Sequence, residues 1–550
     1  MKARNQLAAL AVLVAACAAA FPAAPASAGL RGAGAAPTVR LPGDAGAAGV
    51  NADPAGWIVG AQPGRASARI ARAHGARHIA GGAWRSTRAG ARALASDLRA
   101  RGLLRYAEPD RYSVRAQAPP PDPLSALSPW RDRVVDPSLV PPPVTASSPL
   151  LALVDSQLDI SHPEFRSGNV TTAGGQALND FHGTATAAVA SAAANGVGNL
   201  GVFPGARTLN VPLPARILCS DSARQIDAAR RAGASVINMS YGSRHECVTE
   251  TDAIQRVIRA GIVPVAASGN DFDNGNPDEF PATLPHVLTV AALAADDRPT
   301  FFSSENSAVD LSAPGLDILT AVPARPGPDF DADGVVDGFM FVSGTSFSAP
   351  MVSGAATWIR AARPELTQDQ VQNVLRFGAR DIGIPGYEAA TGYGIVSLAG
   401  ALARETPVAD PAEPNDDARF VNGRTFGSAA APIFTRQESP ATLAGTIDVY
   451  EDPADVYRIK VRAQGRARIR LEPGVGDPDL YVFRGGATTV VGRRAAGFGV
   501  ARSRAGVGRT DAVTIRNRKD RTATYLVAVG FTGGKSLRLL NAGYELRVSP

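Results

Sequence analysis

The 550-residue sequence predicts an α/β fold, a parallel sheet with helices on both faces, preceded by a small α+β unit and followed by a β-sandwich. Three observations predict it. Apolar strands alternate with helical stretches from residue 150 to about residue 403, which is the pattern of right-handed βαβ units. Mixed strand and helix periodicity fills about residues 55–116, ahead of a Pro-rich stretch at 118–124. Beyond Thr406-Pro407, short strands of alternating polarity are separated by Gly and Asp turns.

The first 28 residues read as a secretory signal: Lys2 and Arg4 supply the charged start, residues 7–20 the apolar run, and Ala26-Ser27-Ala28 the small-residue cleavage site. The remainder is therefore expected to be secreted, extracellular or periplasmic. Val14-Ala15-Ala16-Cys17 offers an alternative, since it resembles the lipobox of bacterial lipoproteins anchored through Cys17. No later run reaches the ~20 apolar residues of a membrane span, so none is expected.

Residues 29–120 form the next block, with a strand at Trp57-Ile58-Val59-Gly60, helices over 67–74 and 91–100, and a last strand at 104–110. The α/β block follows over 121–405 and the sandwich over 406–550. Within the α/β block, Ser235 to Ser240 is a strand, 250–260 a helix and 262–267 the next strand. In the sandwich, Tyr457-Arg458-Ile459-Lys460-Val461 and Tyr525-Leu526-Val527-Ala528-Val529 show the alternation most clearly.

A 45% hydrophobic content is that of a globular protein. The net charge of +6 and pI near 9.4 come from scattered Arg, with no dense Lys/Arg block and no basic-aromatic stripe, so nucleic acid is not an expected partner. Two cysteines, Cys219 and Cys247, remain after the signal. In an exported protein such a pair reads as a disulfide; two free buried thiols are the alternative.

The chemistry is carried by Gly344-Thr345-Ser346-Phe347-Ser348-Ala349-Pro350, which sets Ser346 among small residues where an apolar helix begins. A serine hydroxyl needs a base, an orienting carboxylate and an oxyanion donor. His182 opens the segment His182-Gly183-Thr184-Ala185-Thr186-Ala187-Ala188, Asp155 ends the run Leu150 to Val154, and Asn270 closes Ala266-Ala267-Ser268-Gly269-Asn270. Pro350 is expected in the first helical turn, where its missing N–H costs nothing.

In the order Asp, His, Ser, over about residues 125–403, these motifs resemble the subtilases, the subtilisin-like serine proteases. Asn238-Met239-Ser240-Tyr241-Gly242, Pro281-Ala282-Thr283-Leu284-Pro285 and Asp310-Leu311-Ser312-Ala313-Pro314-Gly315 add to the resemblance. It implies a subtilisin-like fold, an endopeptidase with Asp155, His182 and Ser346 as its triad and Asn270 in its oxyanion hole, and protein or peptide substrates. Substrate strands would pair near Ser240, Tyr241 and Gly242, and the P1 side chain would enter between walls that include Ala267, Ser268 and Gly269. Neither segment holds an acid, so a broad or apolar P1 preference is expected. The chain departs from the family pattern at Gln157, where Gly is usual, and at Ala185, where a second His is usual. A catalytically inactive binding protein on the same scaffold is the alternative.

The block over 55–116, with Tyr106-Ala107-Glu108-Pro109-Asp110 before the linker, resembles the inhibitory propeptide of subtilases. It implies a zymogen cut between residues 115 and 126, with its own propeptide as inhibitor; a retained accessory domain is the alternative. Structural calcium is implied at Glu164 with Asn195, Val197 and Asn199, although Asp is the family norm at Glu164. A second calcium loop is suggested by Asp329, Asp331, Asp333 and Asp337 with Gly334, at EF-hand positions 1, 3, 5, 9 and 6. Position 12 is Met340, so the bidentate acid is missing and an acidic hairpin is the alternative. Glu413-Pro414-Asn415-Asp416, Asp455-Val456-Tyr457 and Asp477-Pro478-Asp479 resemble the bacterial pre-peptidase C-terminal domain. No organic cofactor is expected, and a monomer is.

Overall fold

The computed structural model describes residues 56–109, 122–166, 169–175, 178, 180–323, 338–410, 412–435, 440–474, 476–531 and 541–550. The expected signal, Cys17, Asp110 and the segment holding Asp329, Asp331, Asp333 and Asp337 lie outside them. The chain divides into two compact units, residues 1–117 and 118–550.

The first unit is an antiparallel sheet of order β2-β3-β1-β4, from β1 (Trp57–Ala61), β2 (Arg77–Ala80), β3 (Ala83–Ser86) and β4 (Leu104–Pro109), with helices α1 (Arg65–Ala73) and α2 (Arg88–Ala100). Thr87 caps α2 by accepting the Gly90 N–H at 3.2 Å. Ala91, Leu94, Ala95 and Leu98, at helical spacing, are fully buried in the core with Val59 and Trp84. The β2–β3 hairpin is absent from the sequence reading. All four β2 residues are exposed, so no alternation marks it; the Gly81-Gly82 pair at its turn was the available signal.

The second unit opens with short helix α3 (Trp130–Val134) and builds a seven-stranded, wholly parallel sheet. Its strands are β5 (Leu151–Asp155), β6 (Val170–Thr172), β7 (Thr208–Pro212), β8 (Val236–Met239), β9 (Val263–Ala267), β10 (Leu288–Leu293) and β11 (Val309–Pro314), in the order β11-β10-β9-β8-β5-β7-β6. Strand residues alternate between two cores. Leu151, Leu153 and Val236 face helices α4 (His182–Ser191) and α7 (Thr345–Ala362), while Ala152, Val154, Ile237 and Met239 face α5 (Cys219–Arg231) and α6 (Val248–Arg259). Each fully buried Leu or Ile contributes about 1.5–3 kcal/mol. Strand order reverses at β5, and open α/β sheets bind ligands at the carboxyl ends of strands beside such a reversal.

An antiparallel pair, β12 (Ile318–Ala321) and β13 (Phe339–Val342), leads into α7, and α8 (Gln368–Gly378) and α9 (Leu398–Ala403) complete this α/β layer. The expected sandwich follows as two antiparallel sheets. One has the order β14-β21-β16-β19, from β14 (Ala441–Asp448), β16 (Arg466–Pro473), β19 (Asp511–Arg516) and β21 (Asn541–Ser549). The other has the order β15-β20-β17-β18, from β15 (Ala454–Val461), β17 (Asp479–Arg484), β18 (Gly499–Ser503) and β20 (Ala523–Gly530). Ile459, Val461, Ile469, Leu471, Val482 and Val527 fill the space between them. Among the described residues no helix is long and apolar enough to cross a membrane.

Candidate active site

Asp155 ends β5 and is buried, and His182 begins α4; the sheet and the helix bring them together. His182 Nδ1 lies 2.7 Å from Asp155 Oδ1, and Asp155 also accepts the Ser156 N–H at 2.7 Å and the Thr186 hydroxyl at 3.0 Å. Asp180 accepts the His182 N–H at 3.0 Å and the Ser156 hydroxyl, while Ser156 Oγ accepts the Gly183 N–H at 2.8 Å. A Cβ at position 183 would lie 2.2 Å from the Ser156 carbonyl oxygen, so the residue after His182 has to be glycine. Burial works against a charged His182 imidazole. The Asp155 carboxylate, by charge and hydrogen bond, outweighs it and holds the pKa above the ordinary histidine value.

Ser346 is the second residue of α7, so its N–H belongs to the first turn, which has no intrahelical acceptor. Gly344 caps the helix at φ 149°, a conformation open to glycine. Asn270 Oδ1 accepts the Thr345 N–H at 2.9 Å and the Thr345 hydroxyl at 3.0 Å, which leaves its side-chain N–H₂ available beside the same turn. The Ser346 hydroxyl donates to the Ser240 carbonyl at 3.3 Å, and among the described residues no hydrogen bond joins it to His182.

The position of Pro350 corrects the sequence reading. It is the sixth residue of α7 rather than a first-turn residue, so its missing N–H removes a rung, the one to the Ser346 carbonyl. The Ser240 hydroxyl takes that place, donating to Ser346 O at 2.8 Å.

Ser240-Tyr241-Gly242 follows β8, and Ala267-Ser268-Gly269 follows from β9 directly into Asn270. The Tyr241 hydroxyl lies 2.7 Å from Ser222 Oγ, which donates to the buried Glu250. An acid missed by the sequence reading lies against both segments. Glu279, 5% exposed, has its side chain between Gly242 and Gly269. Gln157 is buried, donating to the Leu158 carbonyl at 3.1 Å and to Thr172 Oγ1 at 3.3 Å, and Ala185 is fully buried in α4.

Cys219, the first residue of α5, and Cys247, the cap of α6, form the expected disulfide. Glu164 is fully buried and accepts the Asn199 N–H at 2.8 Å. Asp122 Oδ1 gathers the N–H groups of Asn195, Gly196 and Val197 at 3.2, 2.6 and 3.0 Å. The Asn195 side chain is taken up within the loop, accepting from Val197 and donating to the Pro163 carbonyl. Glu164 Oε2 and Asn199 Oδ1 are buried without a partner, and burial, with Asp122 nearby, pushes the Glu164 pKa up to about 8. Two buried oxygens with no donor are what a cation would satisfy.

A denser acidic set lies where the α/β layer meets the sandwich. Ligand atoms of His286, Glu413, Asp416 and Asp452, and of Asp410, Glu413, Asp452 and Asp455, lie within 4.8 Å of one another in each group. Asp410 Oδ1, Glu413 Oε1, Asp416 Oδ2, Asp452 Oδ1, Asp455 Oδ1 and Asn415 Oδ1 are buried without partners. His286, 3.0 Å from both Glu413 and Asp416, is the one cation in the first group.

A family model described as the subtilase family matches residues 146–394. The chain is 29% identical over 289 residues to a probable subtilase-type serine protease of Deinococcus radiodurans, covering 45% of this chain and 39% of that one. It is also 29% identical over 271 residues to subtilisin E of Bacillus subtilis, covering 47% and 66%. The chain thus spans less than two thirds of either relative. The crystal structure of fervidolysin from Fervidobacterium pennivorans, a keratinolytic enzyme related to subtilisin, aligns with a TM-score of 0.47 at 18% identity over 88% of this chain and 93% of that one. Asp155, His182, Asn270 and Ser346 all fall inside residues 146–394, the stretch that matches the subtilase family model.

Proposed function

We propose that the chain is an exported serine endopeptidase that hydrolyses peptide bonds through an acyl-enzyme intermediate and is made as a self-processing zymogen. The carrying observation is the 2.7 Å bond from His182 to the buried Asp155, in a domain that sets Ser346 at a helix N-terminus beside Asn270.

A substrate strand pairs with the backbone of Ser240, Tyr241 and Gly242. Rotation of the Ser346 side chain moves its hydroxyl from the Ser240 carbonyl to His182 Nε2, which takes the proton as the oxygen attacks the carbonyl carbon. The oxyanion is met by the Ser346 N–H and the Asn270 side-chain N–H. Collapse of the tetrahedral intermediate expels the amine, to which His182 returns the proton. Water then repeats the sequence on the ester and releases Ser346. Asp155 fixes the imidazole tautomer with Nδ1 protonated and stabilises the imidazolium, its second oxygen held by Thr186.

The first unit, with its own core and a Pro-rich linker after it, serves as the inhibitory propeptide, and the leading 28 residues as the export signal. Calcium is the structural cofactor. Glu164 and Asn199 would hold it in the peptidase layer, and the Asp410, Glu413, Asp416, Asp452 and Asp455 set beside the sandwich. There it would neutralise carboxylates that otherwise repel.

Treatment with a fluorophosphonate, followed by peptide mapping, tests the reading. Covalent label on Ser346, lost together with caseinolysis in Ser346→Ala, is expected; an unlabelled wild type that hydrolyses no protein would leave only the binding role.

A further inference from the structure

On the proposed peptidase reading, the acyl carbon of a bound substrate would lie against Ser346 and Asn270, and the side chain on its amino-terminal side would run between the two segments that lead past them, 240–242 and 267–269. Both segments end in glycine. A Cβ on Gly242 would sit 2.6 Å from Glu279 Oε2, and one on Gly269 would sit 2.6 Å from Glu279 Cγ. The Glu279 side chain thus occupies the gap between two bare backbones. Its main chain is fixed there by the Ser243–Phe280 pair, with N–H to O distances of 2.9 and 2.8 Å, and by Thr283, whose N–H and hydroxyl reach the Glu279 carbonyl at 2.9 and 3.0 Å.

Resting on the peptidase reading, we propose that Glu279 forms the floor of the pocket for the residue preceding the scissile bond and selects a cationic side chain, arginine or lysine, there. The groups facing Glu279 are Asp271, which hydrogen-bonds it, and Arg244, whose charge reaches it. Arg244 is already engaged, lying 3.1 Å from Asp271, which Asn274 also holds at 3.0 Å. Burial first, then the hydrogen bond and charge of Asp271, push the Glu279 pKa up to about 7. An apolar side chain would seal a buried carboxyl with no cation, whereas a guanidinium or ammonium supplies the missing charge. The expectation of an apolar preference rested on 240–242 and 267–269 alone; the acid arrives from a third segment.

The protein's own sequence is consistent with this choice. In the 115–126 window where the propeptide is expected to be cut, Arg115 is the only basic residue.

The test uses self-processed protein made from the full chain and peptide p-nitroanilides that differ only in the last residue, Arg, Lys, Leu or Phe. Rates are normalised to sites titrated with a fluorophosphonate. The kcat/KM for Arg or Lys should exceed that for Leu by about tenfold or more, and Glu279→Gln should lower that ratio by about tenfold or more, while Glu279→Asp keeps the cationic preference. The Arg-to-Leu ratio in the wild type should rise with pH through about 7 as Glu279 ionises. Titratable sites with Leu or Phe cleaved as well as Arg, or a ratio unmoved in Glu279→Gln, would overturn the inference and leave the peptidase reading standing. No titratable site and no cleavage would overturn both. Should Glu279→Gln fail to fold, the wild-type ratio and its pH dependence decide.

Discussion

Ser240 donates its hydroxyl to the carbonyl oxygen of Ser346 at 2.8 Å. Pro350, four residues on, has no N–H for that carbonyl, so a side chain from the neighbouring strand end replaces a helix rung directly behind the proposed nucleophile. The contact is the last of a chain. Ser353 donates to Asn238 Oδ1 at 2.9 Å, and Asn238 Nδ2 donates to Ser240 Oγ at 2.9 Å, which ties the end of β8 to the first turns of α7.

Ser240→Ala removes that donor while keeping the Ser240 carbonyl on which the Ser346 hydroxyl rests. The orphaned carbonyl should cost about 1–3 kcal/mol in urea unfolding. Ser240→Thr, which keeps a hydroxyl, should recover most of it; equal stability of Ser240→Ala and wild type would contradict the role.

In the proposed mechanism His182 has to be neutral to accept the Ser346 proton. Burial disfavours its charged form, but Asp155 outweighs burial, so its pKa is raised and activity should fall as pH drops through a value above the ordinary ~6.5. Asp155→Asn removes the charge that raises it. The acid limb of kcat/KM should then move down and kcat should fall about 10⁴-fold. A limb that stays in place would show that another group controls it.

The acidic set beside the sandwich predicts a pH signature for calcium removal. Burial and mutual repulsion raise the pKa of Asp410 to about 8 and those of Asp452 and Asp455 well above the ordinary value. Without a cation the folded state binds more protons than the unfolded state, so stability should fall as pH rises from about 4 towards about 8. Calcium should flatten the decline. Melting curves in EDTA and in calcium across that range check it, and superimposed curves would remove the ion from the account.

If Glu279 selects a cation, the propeptide bond it favours lies after Arg115. The mature protein should begin at Ala116, and Arg115→Leu should slow its appearance by about tenfold. Amino-terminal sequencing and a processing time course measure both; a mature end elsewhere, unaffected by Arg115→Leu, would contradict it.

Much of the architecture was legible because the parallel strands read as apolar runs bounded by turns, with helices between them. The bond between Asp155 and His182 joins residues that each sit at an element's edge in the sequence. Other features depend on what the fold brings in from elsewhere. The β2–β3 hairpin is too exposed to alternate, and Pro350 was misplaced because, even counted from a helix start at Ser346, it is the fifth residue and lies beyond the four N–H groups that lack an intrahelical acceptor. Glu279 is silent in the sequence: only the pairing of Ser243 with Phe280 carries it to Gly242.

The most direct measurement is mass-spectrometric mapping of the fluorophosphonate adduct on the self-processed protein, with casein hydrolysis followed in parallel. A single adduct on Ser346, with adduct and hydrolysis both lost in Ser346→Ala, is the predicted result. Full hydrolysis by Ser346→Ala, or an adduct on a different residue, would contradict it.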